Sequence, residues 1–395
     1  MRIGIDACCW SNRRGFGRFT RELVAHIVAE HPRHEYTLVV DRATAEQSRL
    51  PPGARVEVVA TREQPTRAAS AAGARSPLDL LRMARAAARV PADLFFFPAV
   101  YSYYPMLRRV PTVVTFHDAI AETHPGLVFP GARARLFWSA KSWLANRQAS
   151  RLLTVSRDAR TRIAAAFRRP ESSIAVVGEG PGAAFRPLDD PAAARAVVER
   201  YRLPAAEPIV LYVGGISPHK NLDGLLHAFA LQGERAHLAI VGDHAADSFL
   251  GCYPALVELR ARLGLESRVT FTGFVPDEDL AVLYNAATVL ALPSFDEGFG
   301  LPAVEAMACG LPVAASHRGS LAEVVGPAGV FFDPRDHAEM AAALRRVLGD
   351  PRLRAELSAE GPRRASLFTW SAAARDAVRL FEETVAGGPA ASEAT

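Results

Sequence analysis

Apolar residues in this chain gather into short runs that alternate with stretches of helical periodicity from one end to the other. In the first half the runs fall near Ile3–Ala7, Tyr36–Asp41, Val56–Ala60, Leu94–Phe97, Val113–Phe116, Leu152–Ser156 and Ile174–Val177. Most are continuous rather than alternating, as strands of a parallel sheet should be when helices cover both faces. Between them Phe19, Leu23 and Ile27 recur at helical spacing, as do Leu136, Ala140 and Leu144. Gly178-Glu179-Gly180-Pro181-Gly182, followed by Phe185-Arg186-Pro187, breaks both periods and predicts a linker. A second set of runs follows near Ile209–Val213, Leu238–Val241, Val269–Thr272, Val289–Leu292, Val313–Ala315 and Val330–Phe332. A helix over Leu222–Leu231 shows Leu222, Leu225, Leu226 and Phe229 on one face, and a last helix is expected from about Ser371 to Thr384. Beyond it lies a tail of small residues expected to be loose.

The pattern predicts two doubly wound, Rossmann-like α/β domains facing a central cleft, over residues 1–182 and 183–368, with a terminal helix over 369–386. The length, 395 residues, suits two cores of ordinary size. Composition adds little: 49% hydrophobic and 22% charged residues describe a globular chain, and a formal charge of +4 is too small to indicate nucleic acid. Cys8, Cys9, Cys252 and Cys309 lack a zinc or redox spacing and read as mostly buried, reduced thiols of a cytoplasmic protein. Met1–Asp6 enters a strand directly, so no signal peptide is expected, and no apolar run is long enough to span a bilayer.

Four segments carry candidate chemistry. The richest is Pro293-Ser294-Phe295-Asp296-Glu297-Gly298-Phe299-Gly300-Leu301-Pro302, running into Glu305 and Gly310. It reads as strand, glycine turn and helix start, with Pro302 in the first turn and free amides suited to an anion. Glu297 and Glu305 flank the turn. Each can serve as an acceptor for ligand hydroxyls; the plainer alternatives are a solvated loop acid at Glu297 and a first-turn glutamate favoured by the helix dipole at Glu305. The second segment, Val213-Gly214-Gly215-Ile216-Ser217-Pro218-His219-Lys220-Asn221, has the same plan and sets Lys220 at a helix mouth as a point charge for phosphate. It lacks the spacing of a P-loop, and the plainer reading is an exposed lysine beside an asparagine cap.

His117-Asp118 ends the Val113–Phe116 strand, where a histidine can meet a sugar hydroxyl or sit buried and satisfied. Gly15-Phe16-Gly17-Arg18-Phe19 is half a dinucleotide fingerprint with Thr20 in place of the last glycine. The preferred reading is a loop near a diphosphate followed by a helix N-terminus, and not a nicotinamide site.

With these residues in hand, the chain resembles the family-4 retaining glycosyltransferases of the GT-B fold over nearly its whole length. Glu297 and Glu305, with seven residues between them inside Pro-Ser-x-x-Glu-Gly-Phe-Gly-Leu-Pro-x-x-Glu, carry most of the resemblance, supported by Gly214–Asn221, Thr154–Ser156, Val241–Asp243, Phe271–Val275 and Phe368-Thr369-Trp370. It implies transfer of a hexose such as mannose, glucose or N-acetylglucosamine from a nucleotide-sugar to a saccharide, lipid-linked or small-molecule acceptor, without metal or other cofactor. By the same resemblance Glu305 holds the ribose, Glu297 with the amides of Gly298, Phe299 and Gly300 holds the donor sugar, and Lys220 neutralises the diphosphate. His117 then contacts the sugar near the reacting carbon, and Gly17 brings loop amides to phosphate. The chain departs from the family at Gly215, where many members carry arginine, which leaves the diphosphate leaning on Lys220 with His219 or Arg18 as helpers. The linker departs as well.

Other GT-B activities stand as alternatives: a sugar phosphorylase, a sugar-phosphate synthase, a nucleotide-sugar epimerase, or a binding module without catalysis. Helix 133–147 interleaves Arg133, Arg135, Lys141 and Arg147 with Phe137, Trp138, Trp143 and Leu144. The favoured expectation is that it buries its aromatics in the first domain; the alternative is peripheral contact with an anionic membrane at the inner face. Variable loops such as Thr61–Pro77 and Tyr101–Arg109 are expected to meet the acceptor.

Overall fold

A computed structural model describes residues 1–63, 76–233, 235–243 and 252–387. Most of the Thr61–Pro77 loop and the final residues of the C-terminal tail lie outside the described residues. The chain divides into two units: Met1–Glu179 together with the segment from Thr369, and Gly180–Phe368.

The first unit is built on seven strands: β1 (Arg2–Asp6), β2 (Glu35–Asp41), β3 (Ala54–Val59), β4 (Leu94–Phe97), β5 (Thr112–Thr115), β6 (Arg151–Thr154) and β7 (Ile174–Val176). They pair in parallel in the order β3-β2-β1-β4-β5-β6-β7. The second holds β8 (Ile209–Val213), β9 (His237–Val241), β10 (Val269–Gly273), β11 (Val289–Leu292), β12 (Val313–Ser316) and β13 (Gly329–Phe332), ordered β10-β9-β8-β11-β12-β13. Every expected strand is present, displaced by no more than a residue or two at its ends. Both sheets start in the middle, wind to one edge and then return past the start. The reversal falls between β1 and β4 in one unit and between β8 and β11 in the other, and loops leaving such neighbouring strands diverge to form a ligand crevice.

Continuous apolar runs become the interior strands: every residue of β4, β5, β9, β11 and β12 is buried. The edge strand β3 instead leaves Val56 and Val58 exposed. Helix Gly15–Glu30 buries Phe19, Leu23 and Ile27, as their spacing predicts. It also takes in Gly15 and Gly17, which corrects the expectation that these glycines form a loop. The C-terminal helix Trp370–Ala386 begins at Thr369, whose hydroxyl accepts the Ala372 amide at 3.1 Å. It packs within the first unit, with Phe381 against Phe96 at 4.9 Å between ring centres and Trp370 against Phe19 at 6.0 Å. Fully burying a ring of that size contributes about 2–3 kcal/mol.

Cys8, Cys9 and Cys309 are buried and Cys252 is half-buried. One expectation changes. Helix Ala132–Gln148 buries Trp138, Ser142 and Ala145, while Phe137 and Trp143 stay exposed, so its aromatics do not all enter the core. Lys141 turns the other way: its Nζ lies 4.4 Å from the centre of the Trp138 ring and donates to the Tyr101 carbonyl at 3.2 Å. Among the described residues no helix is long and apolar enough to cross a membrane.

Candidate active site

The loops after β8 and β11 are locked together. The Phe295 amide donates to the His219 carbonyl at 2.9 Å. Asn221, in the left-handed region with φ +56°, sends its amide nitrogen to the carbonyls of Pro293 (3.0 Å) and Pro334 (2.7 Å). It therefore ties three loops and does not cap the helix behind it. Its backbone strain is of about 1–2 kcal/mol and needs such surroundings to hold it.

On that frame Lys220, closing the turn Pro218–Lys220, reaches Glu297. Its Nζ lies 2.7 and 2.8 Å from the two carboxylate oxygens, and the side chains are 19% and 13% exposed. Ser294 Oγ donates to the same carboxylate at 2.7 Å. Neither the exposed lysine nor the solvated loop acid of the plainer readings is present. The Glu297 carbonyl accepts both the amide (3.2 Å) and the hydroxyl (3.0 Å) of Ser320, so the loop after β12 grips the main chain of the same residue. Tyr212 orients the other turn by donating to the Gly215 carbonyl at 2.8 Å, and burial, with the charge of Glu297 adding to it, holds that phenol well above its usual range. A Cβ at Gly215 would meet no atom within 4 Å, so crowding at that atom is not what keeps a side chain out of the turn.

Gly298 and Phe299 lead into helix Leu301–Ala308, with Gly300 as its N-cap at φ +92°. The Phe299 ring faces away into the unit, edge-on to Phe368 at 5.5 Å. Glu305 is the fifth residue of the helix, past the first turn, and is buried; Tyr284 donates to its Oε2 at 3.1 Å. The helix-dipole explanation fails for it, because that effect fades beyond the first turn. Lys220 and Glu297 are thus brought into direct contact, whereas Glu305 is held from behind by Tyr284.

In the first unit His117 follows the carboxyl end of β5 by two residues. Its ring is buried edge-on to Phe19 at 4.8 Å, and both nitrogens lack a hydrogen-bond partner. It is not the satisfied core histidine of the plainer reading. Burial drives its pKa down to about 3, so the ring is neutral, with one donor and one acceptor buried and unsatisfied. Unmade bonds of this kind cost about 1–3 kcal/mol each. At Gly17 the amide donates to the Arg14 carbonyl at 3.0 Å, and a Cβ there would sit 2.1 Å from the Asn12 carbonyl oxygen. The position is glycine because two stretches of backbone touch.

Five residues past His117 lies a residue the sequence did not flag. Glu122 accepts the Trp138 indole N–H at 2.7 Å, and burial, then the Asp118 charge, raises its carboxyl to about 7. An acid whose folded pKa lies above its unfolded value of 4.5 contributes its full share of stability only below that value, and loses it as pH rises through 7. Glu122→Gln, which keeps the acceptor for Trp138, should therefore match the native Tm near pH 4 and exceed it near pH 8. An equal difference at the two pH values would refute the assignment. Ser294, Ser320, Tyr212 and Tyr284 were likewise unsignalled, since each acts through a partner remote in sequence or a single hydroxyl. Among the described residues no group of three or more His, Cys, Asp or Glu side chains converges as metal ligands would.

Paired Rossmann-like sheets with a lysine–glutamate contact at the switch point of one of them define the class, the GT-B glycosyltransferases. The chain belongs to the family-4, group-1 glycosyltransferases: residues 13–180 match the profile described as Glycosyltransferase Family 4, and residues 195–364 that described as Glycosyl transferases group 1. It is 34% identical to the O-antigen chain mannosyltransferase B of Escherichia coli over 286 residues, 71% of this chain and 72% of that protein. It is 40% identical over 210 residues to the D-inositol 3-phosphate glycosyltransferase of Frankia alni, 51% of this chain and 50% of that one, and so spans about half of that relative's length. The structure of Anabaena Alr3699/HepE in complex with UDP-glucose superposes with a TM-score of 0.75 over 97% of this chain and 100% of that one, at 22% identity, a likeness of fold.

Proposed function

We propose that this chain is a retaining hexosyltransferase that takes its sugar from a nucleotide-sugar, with residues 183–368 as the donor half and 1–182 as the acceptor half. The contact between Lys220 and Glu297 carries the reading: an ammonium and a carboxylate, held by three loops at a switch point, offer a cation for a diphosphate beside an acceptor for sugar hydroxyls. The helix mouth at Gly298–Gly300 adds backbone amides, and family membership supports the reaction class. One relative is named a mannosyltransferase and one structural neighbour holds UDP-glucose, which favours a hexose on a nucleoside diphosphate.

In the reaction the bond from the anomeric carbon to the diphosphate oxygen breaks, and one from that carbon to the acceptor oxygen forms on the same face. The acceptor proton passes to the departing phosphate. Negative charge grows on the leaving group, and Lys220 meets it more strongly in the transition state than before. Glu297 orients the sugar, neutral His117 offers a hydrogen bond near the reacting carbon, and Glu305 serves the ribose. The leaving charge falls to Lys220 and the helix amides in this scheme, without a divalent ion.

GDP-mannose, UDP-glucose and UDP-N-acetylglucosamine should be compared for thermal stabilisation and slow release of nucleoside diphosphate, because a ligand that binds only the folded state raises Tm by mass action. One donor is expected to do both. If a full panel of nucleotide-sugars does neither, the proposal fails; a sugar phosphate or an isomer as product would move it to a phosphorylase, synthase or epimerase.

A further inference from the structure

We propose that the outer face of helix Ala132–Gln148, with the loop joined to its end, lies on an anionic lipid surface. The observation is independent of the donor site. Leu136, Ala140, Trp143 and Arg147 are spaced by four, three and four residues and so share one face of the helix. That face is turned to solvent: Leu136 is 69% exposed, Trp143 59% and, on its flank, Phe137 53%. Side chains of that size and apolarity, three on one helix, form a patch that a lone domain rarely leaves in water.

The charge of the helix tells what kind of surface it meets. The seventeen residues include Arg133, Arg135 and Arg147 but no aspartate or glutamate. Two of the guanidinium groups stay with the rings, Arg133 at 5.6 Å from the centre of Phe137 and Arg147 at 6.0 Å from that of Trp143. Lys141, which the sequence pattern would count among the surface charges, is turned inward and takes no part.

A second element extends the same chemistry. Gln148, the last residue of the helix, donates to the Met106 carbonyl at 3.2 Å, accepts the Met106 amide at 3.0 Å and receives the Tyr103 hydroxyl. These bonds fix the loop from Pro105 to Val110 at the end of the helix that carries Trp143 and Arg147. The loop exposes Leu107, 56% accessible, followed by Arg108 and Arg109, and it too has no acidic residue.

Exposed tryptophan, phenylalanine and leucine among arginines, on a helix too polar to span, is the composition of a segment that rests at the headgroup boundary. Anionic headgroups supply the countercharge that neither the helix nor the loop contains. A second copy of the chain fits poorly: a two-fold contact would lay this acid-free face on itself, arginine against arginine.

The test is co-sedimentation of the full chain with vesicles of one part phosphatidylglycerol to three parts phosphatidylcholine, and with phosphatidylcholine alone. Binding is expected only with the anionic vesicles, falling as salt is raised. Leu136→Ser/Trp143→Ser and Arg133→Glu/Arg147→Glu should each cut the bound fraction at least tenfold with Tm unchanged, since neither pair touches the core. Chain left in the supernatant with the anionic vesicles, or variants that bind as the native chain does, would overturn the proposal. So would a dimer that Trp143→Ser converts to monomer, because the face would then belong to a copy of the chain. Failure here leaves the donor reading untouched, as the vesicle assay contains no nucleotide-sugar.

Discussion

Replacing Lys220 with alanine is expected to lower kcat/KM by about two to three orders of magnitude, the usual loss when one donor to developing charge is removed. The fold should survive. The ammonium is partly exposed and its bonds go to a carboxylate that Ser294 continues to hold, so the stability cost is about 1–2 kcal/mol. The kinetic pattern separates catalysis from scaffolding. A group that meets the leaving phosphate mainly in the transition state lowers kcat and kcat/KM together, whereas one that only anchors the donor raises KM and spares kcat. The turn after β8 contains no replacement cation at Gly215, which sharpens the effect.

Glu297→Gln should lose activity by a similar factor. The double variant should lose far less than the product of the two, because each single change already dismantles the same contact. Full additivity, or normal turnover in a well-folded Lys220→Ala protein, would remove the pair from the mechanism.

Much of this was legible in the chain. Interior strands announce themselves because burial on both faces leaves no polar position, and β4, β9 and β11 lie within a residue of where their apolar runs place them. The loops after β8 and β11 could be singled out because glycine, proline, lysine and glutamate are unusual together at strand ends. What the sequence withheld is what depends on residues distant along the chain. The Lys220–Glu297 contact spans 77 positions and the Asn221–Pro334 bond 113, and no local period encodes either. Glu305 was misjudged as a possible first-turn acid because the helix begins at Leu301, after the glycines, which no pattern fixes to the residue. Helix Ala132–Gln148 was misread for another reason. Its buried side sets Trp138 beside the small Ser142 and Ala145, while Leu136, Phe137 and Trp143 face out. Hydrophobic patterning puts such large apolar residues inside.

Gly319→Ala is expected to reduce kcat/KM by roughly a hundredfold, the penalty that a displacement of about 1 Å in a positioned group can exact, although a side chain there meets Glu297 and no reacting atom. A Cβ at 319 would lie 2.7 Å from the Glu297 nitrogen, 2.8 Å from Asp296 Oδ1 and 2.9 Å from the Glu297 carbonyl oxygen. All three are closer than a carbon can come, and two are backbone, so the loop must move. The adjacent Ser320 holds the Glu297 carbonyl through its amide and its hydroxyl, and movement of one chain drags the other. The φ of +64° adds strain of about 1–2 kcal/mol to any residue with a side chain. Gly264→Ala separates the two effects: its φ is +66°, but no atom lies within 4 Å of the new methyl group. Both variants should lose Tm from backbone strain, and only Gly319→Ala should lose turnover. If the two fall alike in Tm and both keep native kcat/KM, the loop after β12 has no part in placing Glu297, and the acid is held by Lys220 and Ser294 alone.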